Sequence, residues 1–253
     1  MSKLTITPLG TVSPYTKGNW NCPGFLVEYN NKRILFDCGN GITRVLKFPE
    51  DLNNLNVIIT HYHKDHFGDL GALQYASFVY HNLGLLDERI KIYLPRNDIG
   101  YNKASILSNQ ESYSDYEDIE DSKTFSLEDL KVSFEDNHSH TIESFMVKLQ
   151  NDKHKIIYTS DIGTTNFQKL IDFCKDADLI ICESSFLLRH NSNSKTHMTA
   201  HDASILAREA NAKRLLLTHF WPEEKKEDYL EEAKECFEEV EVAEEGKQYV
   251  LKK

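Results

Sequence analysis

Three histidines and an aspartate fall within six positions of this 253-residue chain, from His61 to His66. They follow the apolar, β-branched run 57–59, which predicts a buried strand, and precede residues whose apolar spacing predicts a helix. Alternate strand residues point the same way, so His61 and His63 can face one pocket while Asp65 and His66 approach it from the turn. Zinc readily binds imidazole nitrogen and carboxylate oxygen. The spacing therefore predicts a site for a pair of nearby metal ions.

The pattern H-x-H-x-D-H at a strand end is far more specific than a single histidine, which is usually an ordinary polar residue. It resembles the signature motif of the metallo-β-lactamase superfamily. The resemblance implies an α/β fold, a four-layer αββα sandwich of two mixed β-sheets flanked by helices, with the metal ions at one edge of the sheets. Two halves that each contain several predicted strands and helices also favour two sheets packed face to face with helices outside.

The length of 253 residues suits one layered domain, and we predict a single domain over 1–253. The formal net charge of −11 disfavours broad binding of nucleic acid, because phosphate recognition relies on clustered Lys and Arg. It leaves room for a local basic pocket or for a metal ion that holds phosphate. A small-molecule phosphodiester is therefore the expected partner, and nucleic acid is disfavoured.

Five scattered cysteines without a C-x-x-C pair argue against a disulfide framework and fit a reducing compartment. No apolar run approaches the ~20 residues that span a bilayer. The first residues lead into an alternating strand and not into the apolar core of a signal peptide. These features predict a cytoplasmic protein with no membrane partner.

Hydrophobic periodicity and turn residues predict the elements that position the site. In the first half, strands are predicted at 4–9, 24–29, 32–37, 57–59 and 91–94, with a short helix ending at 46 and a longer one over 65–80. In the second half, strands are predicted at 131–135, 145–150, 155–160, 179–182 and 214–218, with helices at 200–211 and 223–238 before the final strands. Asn30 and Asn31 predict a tight hairpin. The acidic stretch 96–122 is predicted to be helix and loop on a solvated face, with a substrate-capping element as the alternative.

Two metal ions need more ligands than one loop supplies, and polar residues at the tips of later apolar strands can supply them. Asp161 closes the run 156–160, and His219 closes the run 215–218. His138 and His140 follow the strand that ends near 135. These positions extend the predicted site beyond the opening motif.

Resemblance to the superfamily implies that these residues bind two divalent ions. Zinc is the expected metal, with manganese or iron as alternatives. The run 140–145 is similar to the ribonuclease Z form of the third motif, which favours His140 as a ligand over the alternative His138. The implied ligands are His61, His63 and His140 for the first ion, Asp65, His66 and His219 for the second, and Asp161 as the bridge.

Further stretches are similar to ribonuclease Z, the endonuclease that trims transfer RNA 3′ ends. They are 9–11, 21–23, 34–39 and 197–199 leading into 203–210. Two departures point to another activity. Ser194 stands where ribonuclease Z carries a glutamate, and only about twenty residues separate Asp161 from Glu183, where that enzyme inserts a long basic arm. The chain therefore resembles the arm-less, phosphodiesterase-type relatives of that branch.

These features predict a dinuclear metal hydrolase that acts on a small or cyclic phosphodiester. A hydroxide bridging the two ions would attack phosphorus while the ions neutralise phosphoryl charge. His197 is the candidate proton donor to the leaving alkoxide, with an exposed loop histidine as the alternative, and Asp65 could share in proton handling. Thr199 is predicted to cap the helix that follows His197. Asp37 and Glu183, both at strand ends, are candidates for orienting imidazoles or for stabilising turns.

Four alternatives remain. A transfer RNA 3′ endonuclease is disfavoured by the missing arm and by Ser194, whereas a thioester or lactone hydrolase would use the same metals. Oxygen reduction at a di-iron site is disfavoured because such relatives usually replace the second motif histidine, here His63, with glutamate. A non-catalytic scaffold is disfavoured because all seven ligands are present, and the resemblance leaves a homodimer open. The histidines without motif context are predicted at the surface: His81, His154, His190 and His201.

Overall fold

A computed structural model of the protein describes residues 3–97, 103, 113–191 and 194–252. The chain divides into two units, one made of Met1–Ile119 with Glu245–Lys252 and the other of Glu120–Glu244. Each unit contains one seven-stranded mixed sheet with helices, so the prediction of two mixed sheets flanked by helices is confirmed. The single-domain organisation stays a prediction. Within the described residues, none of the helices has the length and apolar character that a membrane span requires.

The sheet of the first unit has an antiparallel and a parallel part. Its strands are β1 Leu4–Gly10, β2 Gly24–Tyr29, β3 Lys32–Phe36, β4 Leu55–Ile58, β5 Lys91–Pro95, β6 Asp115–Ile119 and β14 Tyr249–Leu251, in the order β14-β1-β2-β3-β4-β5-β6. Pairing is antiparallel from β14 to β3 and parallel from β3 to β6. The predicted hairpin joins β2 to β3, with Asn30 at φ 53°. Because parallel strands end at the same edge, the loops after β3 and β4 begin side by side.

Helices α1 Ile42–Val45, α2 Lys64–Phe67 and α3 Leu70–Asn82 lie in the first unit. The single helix predicted over 65–80 is therefore interrupted. At the interruption the Asp69 N–H donates to the carbonyl of Cys38, and the Asp69 carboxylate accepts bonds from the N–H groups of Gly41 and Thr43. A short acidic side chain that binds a neighbouring loop competes with helical hydrogen bonding. The break fixes the loop after β3 against the start of α3.

The sheet of the second unit is parallel around its central strands. It consists of β7 Thr124–Leu127, β8 Leu130–Asp136, β9 Phe145–Gln150, β10 Lys155–Tyr158, β11 Leu179–Glu183, β12 Leu215–Thr218 and β13 Val240–Val242, in the order β13-β12-β11-β10-β9-β8-β7. Strands β10 to β13 pair parallel, and β7 to β10 pair antiparallel. Every residue of β11 and β12 is buried, as expected for central strands of a parallel sheet. Helices α4 Phe167–Cys174, α5 Ala200–Glu209 and α6 Lys226–Lys234 share one apolar core with these strands.

The prediction for the acidic stretch 96–122 is wrong at its C-terminal end. There β6 is an edge strand that pairs in parallel with β5. Only Ile119 of β6 is buried, because an edge strand tolerates exposed, charged side chains, and its sequence therefore lacks an apolar pattern. Residues 98–102 and 104–112, which the same prediction covered, lie outside the described part of the chain.

Candidate metal centre

In the first unit, Asp37 lies directly after β3 and binds the motif loop that follows β4. Its carboxylate accepts bonds from the N–H and hydroxyl of Thr60, at 2.8 and 3.0 Å. It also lies 2.8 Å from Nδ1 of His66, and both side chains are fully buried. The Nδ1 proton of His66 is thereby committed to Asp37. The lone pair that could bind a metal ion is then on Nε2.

His61 and His63 bring two ring nitrogens together in the same loop. His61 Nε2 lies 2.9 Å from His63 Nδ1, and His61 Nδ1 lies 3.1 Å from Thr60 Oγ1. Two nitrogens bound to one tetrahedral zinc ion lie roughly 3.3 Å apart, given Zn–N bonds of about 2.05 Å. The distance between the two nitrogens is therefore close to that of two ligands on one metal ion. It also fits a hydrogen bond in which the two nitrogens share a proton.

Ser13, which the sequence did not single out, holds the carboxylate of Asp65. Its hydroxyl donates to Asp65 Oδ2 over 2.7 Å, and both residues are buried. Asp65 Oδ2 also lies 3.6 Å from Nε2 of His66. The serine thus restricts the Asp65 side chain close to the ligand nitrogen of His66. No local pattern reveals this contact, because Ser13 precedes Asp65 by 52 residues in a separate loop.

Ser13→Ala is expected to weaken zinc binding about tenfold, because partners that orient a ligand typically contribute ten- to a hundredfold to metal affinity. Without the hydroxyl, Asp65 must lose rotational freedom when it binds the ion. Competition with a chromophoric chelator on the full-length protein measures this affinity. Ser126→Ala, at an exposed position of β7, is the matched control and should bind zinc like the unmodified chain. Equal zinc affinity in Ser13→Ala would contradict the assigned role.

In the second unit, Asp161 and His219 follow β10 and β12, whose common neighbour is β11. Parallel pairing places the ends of these strands at one edge. His219 Nε2 lies 2.8 Å from Asp161 Oδ1, and both side chains are almost inaccessible to solvent. Asn137 Nδ2 donates to the Asp161 carbonyl over 2.8 Å and so fixes the loop that carries the carboxylate.

A hydrogen-bonded chain assigns the ligand nitrogen of His219. Ser185 Oγ lies 2.8 Å from His219 Nδ1 and donates to Glu183 Oε2, also over 2.8 Å. A hydroxyl has one proton, so Nδ1 is the donor in the first contact and the His219 lone pair is on Nε2. Nε2 and the Asp161 carboxylate then face each other as two lone-pair atoms. Two lone-pair atoms this close repel each other unless a cation lies between them. That cation is either a proton on His219 or a metal ion.

His197 is anchored by the same glutamate. Its Nδ1 lies 2.8 Å from Glu183 Oε1, which also accepts the Ile162 N–H. Burial lowers the pKa of His197, but the charge of Glu183 and the hydrogen bond to it raise that pKa by more, so the net pKa lies above the usual value. The side chain is 23% exposed, which distinguishes it from a fully exposed loop histidine. The predicted cap is confirmed: Thr199 Oγ1 accepts the Asp202 N–H at the start of α5.

The structure separates the two candidates for the third ligand histidine. Donor atoms of His140, Asp161 and His197 all lie within 4.8 Å of one another. The His138 side chain is instead 50% exposed and lies 3.2 Å from Asp136. His140 is therefore the candidate positioned to share a metal ion with Asp161, and His197 is close enough to act as a further donor.

The donor chemistry in each unit fits the divalent ions that the resemblance implies. The donors are imidazole nitrogens and carboxylate oxygens, which zinc, manganese and iron all accept. Buried carboxylates close to neutral imidazoles need a compensating positive charge, and a divalent ion supplies it. The candidate donors in the first unit are His61, His63, Asp65 and His66, and those in the second unit are His140, Asp161 and His219.

The sequence identified most donors but few of the groups that orient them. Asp37 and Glu183 occupy the orienting positions proposed for them, whereas Ser13 and Ser185 were missed. The surface prediction is wrong for His154, which is 2% exposed in the turn between β9 and β10. His190 is partly exposed, and its ring lies 2.7 Å from a Glu224 oxygen and accepts the Leu187 N–H.

Comparison with known proteins agrees with this geometry. The protein named "Probable metallo-hydrolase YhfI" of Bacillus subtilis (strain 168) is 29% identical over 247 residues, covering 96% of this chain and 98% of that protein. The crystal structure of that metallo-beta-lactamase fold protein superposes with a TM-score of 0.89 at 26% identity, covering 98% of this chain and 99% of its own. Ribonuclease Z of Archaeoglobus fulgidus is 26% identical over 304 residues, covering 94% of this chain and 95% of the enzyme.

The match to a protein family covers most of both units. Residues 32–220, from β3 to the residue after His219, match the model of the family described as the beta-lactamase superfamily domain. The likeness to solved structures confirms the predicted metallo-β-lactamase fold. The chain therefore belongs to the beta-lactamase superfamily.

Proposed function

We propose that the protein is a hydrolase that uses two divalent metal ions, zinc in the first place, to cleave a small or cyclic phosphodiester. The family and its relatives named metallo-hydrolase and ribonuclease Z indicate a metal-dependent hydrolase. The observation that carries the proposal is the anchoring of His66 and His219 through Nδ1, which leaves Nε2 of each ring as the metal-binding atom. The proposed ligands are His61, His63, Asp65, His66, His140, His219 and, as the bridge, Asp161.

When bound, such ions lower the pKa of a bound water and neutralise charge on phosphoryl oxygens. The leaving alkoxide still needs a proton, and His197 is the proposed donor. Glu183 holds its Nδ1 proton, so Nε2 is the atom that would deliver a proton to the leaving group. The charge of Glu183 and the hydrogen bond to it raise the pKa of His197, which favours the protonated form that a general acid requires. Asp65, restrained by Ser13, is the second proposed participant in proton handling.

The His197–Glu183 pair supports a phosphodiester over a thioester substrate. An alkoxide is a strong base and leaves poorly without a proton, whereas a thiolate leaves unaided. A general acid is therefore worth more on the phosphodiester, typically 10²–10⁴-fold in rate. Lactone hydrolysis on the same metals remains the alternative that a substrate panel must test.

Ribonuclease Z activity is the second candidate, because several relatives carry that name. Between Asp161 and Glu183 the chain, described throughout, forms helix α4 and strand β11 and holds no long arm. The net charge of −11 also disfavours a large phosphate-binding surface. Cleavage of a precursor transfer RNA at its 3′ end would favour this candidate over the small phosphodiester.

The proposal predicts turnover of bis-p-nitrophenyl phosphate that a chelator abolishes. Readdition of Zn²⁺ or Mn²⁺ should restore the rate, because the proposed imidazole and carboxylate donors accept either ion. Metal content should be measured on the same sample. A protein that holds two ions per chain and still fails to hydrolyse phosphodiesters, while it turns over a thioester or lactone, would refute the assignment.

A further inference from the structure

A row of aromatic rings extends from His197 along the second unit. It consists of Phe186, His190 and Trp221, called here the aromatic row. Phe186 contacts His197 with ring centroids 6.1 Å apart, and His190 lies 6.1 Å from Phe186 and 5.6 Å from Trp221. His197 in turn stacks on His219 at 5.6 Å. The row therefore begins at the proposed proton donor and leads away from it.

The outer ring of the row is exposed to solvent. Trp221 is 40% exposed although it follows the proposed ligand His219 by only two residues. Exposing this much of a large aromatic side chain forgoes the burial that normally makes tryptophan stabilising. Trp221 therefore presents ring surface to solvent close to the proposed ligand His219.

The two ends of the row are fixed by the hydrogen bonds that hold the ligand loops. The Trp221 N–H donates to Tyr229 Oη, and this fully buried tyrosine donates to the carbonyl of Ser185, the residue that orients His219. Phe186 donates through its N–H to the carbonyl of Met198, directly after His197. The rings are therefore held by backbone contacts next to the proposed site, so a partner would meet a preorganised surface.

The aromatic row offers ring surface for stacking, and the ring nitrogens of His190 are not available to hydrogen-bond a ligand. Both ring nitrogens of His190 are engaged, Nδ1 by the Leu187 N–H and Nε2 by Glu224. Arg189 pairs with Glu224 and with Asp228 and offsets one of their two negative charges. Stacking of this kind tolerates any base, because every base has a π-face.

We propose that Phe186 and Trp221 form a stacking subsite for a nucleobase, which makes the substrate of the phosphodiesterase a nucleoside-bearing diester. This inference rests on the proposed function for its phosphate, and it assigns the base to the aromatic row. Purines, with the larger ring surface, bind more tightly than pyrimidines.

The chain has two tryptophans, so Trp20→Phe leaves Trp221 as the only one. Zinc-loaded Trp20→Phe protein should show saturable quenching of Trp221 fluorescence by AMP, weaker quenching by UMP and none by ribose 5-phosphate, which keeps the sugar and phosphate. Quenching by AMP no stronger than by ribose 5-phosphate would overturn the subsite. This comparison needs binding only, so it separates failure of the subsite from failure of the proposed hydrolysis.

A kinetic comparison uses two diesters with the same leaving group. Trp221→Leu should raise the KM of thymidine 5′-(p-nitrophenyl phosphate) about tenfold and leave that of ethyl p-nitrophenyl phosphate within about twofold, with rescue by Trp221→Phe. Leu188→Ala, at a 52% exposed position on the same segment, is the control and should change neither KM. An equal rise for both diesters would overturn the subsite. If Trp221→Leu does not fold, the fluorescence comparison alone decides.

Discussion

Asp161→Ala is expected to lower kcat/KM for a phosphodiester by roughly a thousandfold or more, because a metal ion supplies several kcal/mol of transition-state stabilisation. The carboxylate is buried 2.8 Å from His219 Nε2, and it is the proposed bridge between the ions. If it bridges the ions as proposed, its removal takes one donor from each of them. The bound metal, measured by elemental analysis after gel filtration, should fall below two ions per chain. Rates on bis-p-nitrophenyl phosphate measure the loss of activity.

The fold should survive this substitution. Asn137 binds the backbone carbonyl of Asp161, which alanine retains, so the loop after β10 keeps its anchor. Circular dichroism should therefore match that of the unmodified protein. Asp152→Ala, at an exposed aspartate in the turn after β9, is the matched control and should retain both ions and full activity. Full metal content and full activity in Asp161→Ala would exclude this residue from the centre.

The candidate donors could be proposed from the sequence because their positions carry local signals. The motif from His61 to His66 is dense, and Asp161 and His219 each follow a short apolar strand. Parallel pairing of β10, β11 and β12 then brings the strand tips to one edge, as strand order alone requires. Among the groups that orient the donors, Asp37 and Glu183 carry the same strand-end signal, whereas the two serines carry none. Ser13 and Ser185 are ordinary loop serines whose roles appear only when distant segments meet.

The fold shows the same division between local and tertiary causes. Buried strands such as β11 are predictable because each of their residues is buried. The edge strand β6 is not, because its pairing with β5 needs no apolar face. The break between α2 and α3 was missed for a similar reason. Asp69 ends the helical pattern through bonds to Gly41 and Thr43, which are distant in sequence.

Gly163→Ala is expected to reduce kcat/KM about a hundredfold for a phosphodiester with an alkoxide leaving group, because a misplacement of about 1 Å at a reacting group costs that much. An ideal Cβ at Gly163 would lie 1.8 Å from the carbonyl oxygen of Lys195, which is backbone and cannot rotate away. Gly163 and the segment 195–197 cannot both keep their positions, and this segment carries His197 with its 2.8 Å contact to Glu183. Overpacking should also lower the free energy of unfolding by about 1–3 kcal/mol. Steady-state kinetics and urea titration measure the two effects separately.

Gly71→Ala is the control with the opposite expectation. A Cβ at Gly71 meets nothing within 4 Å, and the residue lies in helix α3, where alanine is favoured over glycine by about 0.5–1 kcal/mol. This variant should be slightly more stable and equally active. A loss of activity in Gly163→Ala under conditions where the variant is fully folded would then reflect displacement of the loops that carry Asp161 and His197, and not unfolding. Retention of both stability and activity in Gly163→Ala would contradict the expected displacement.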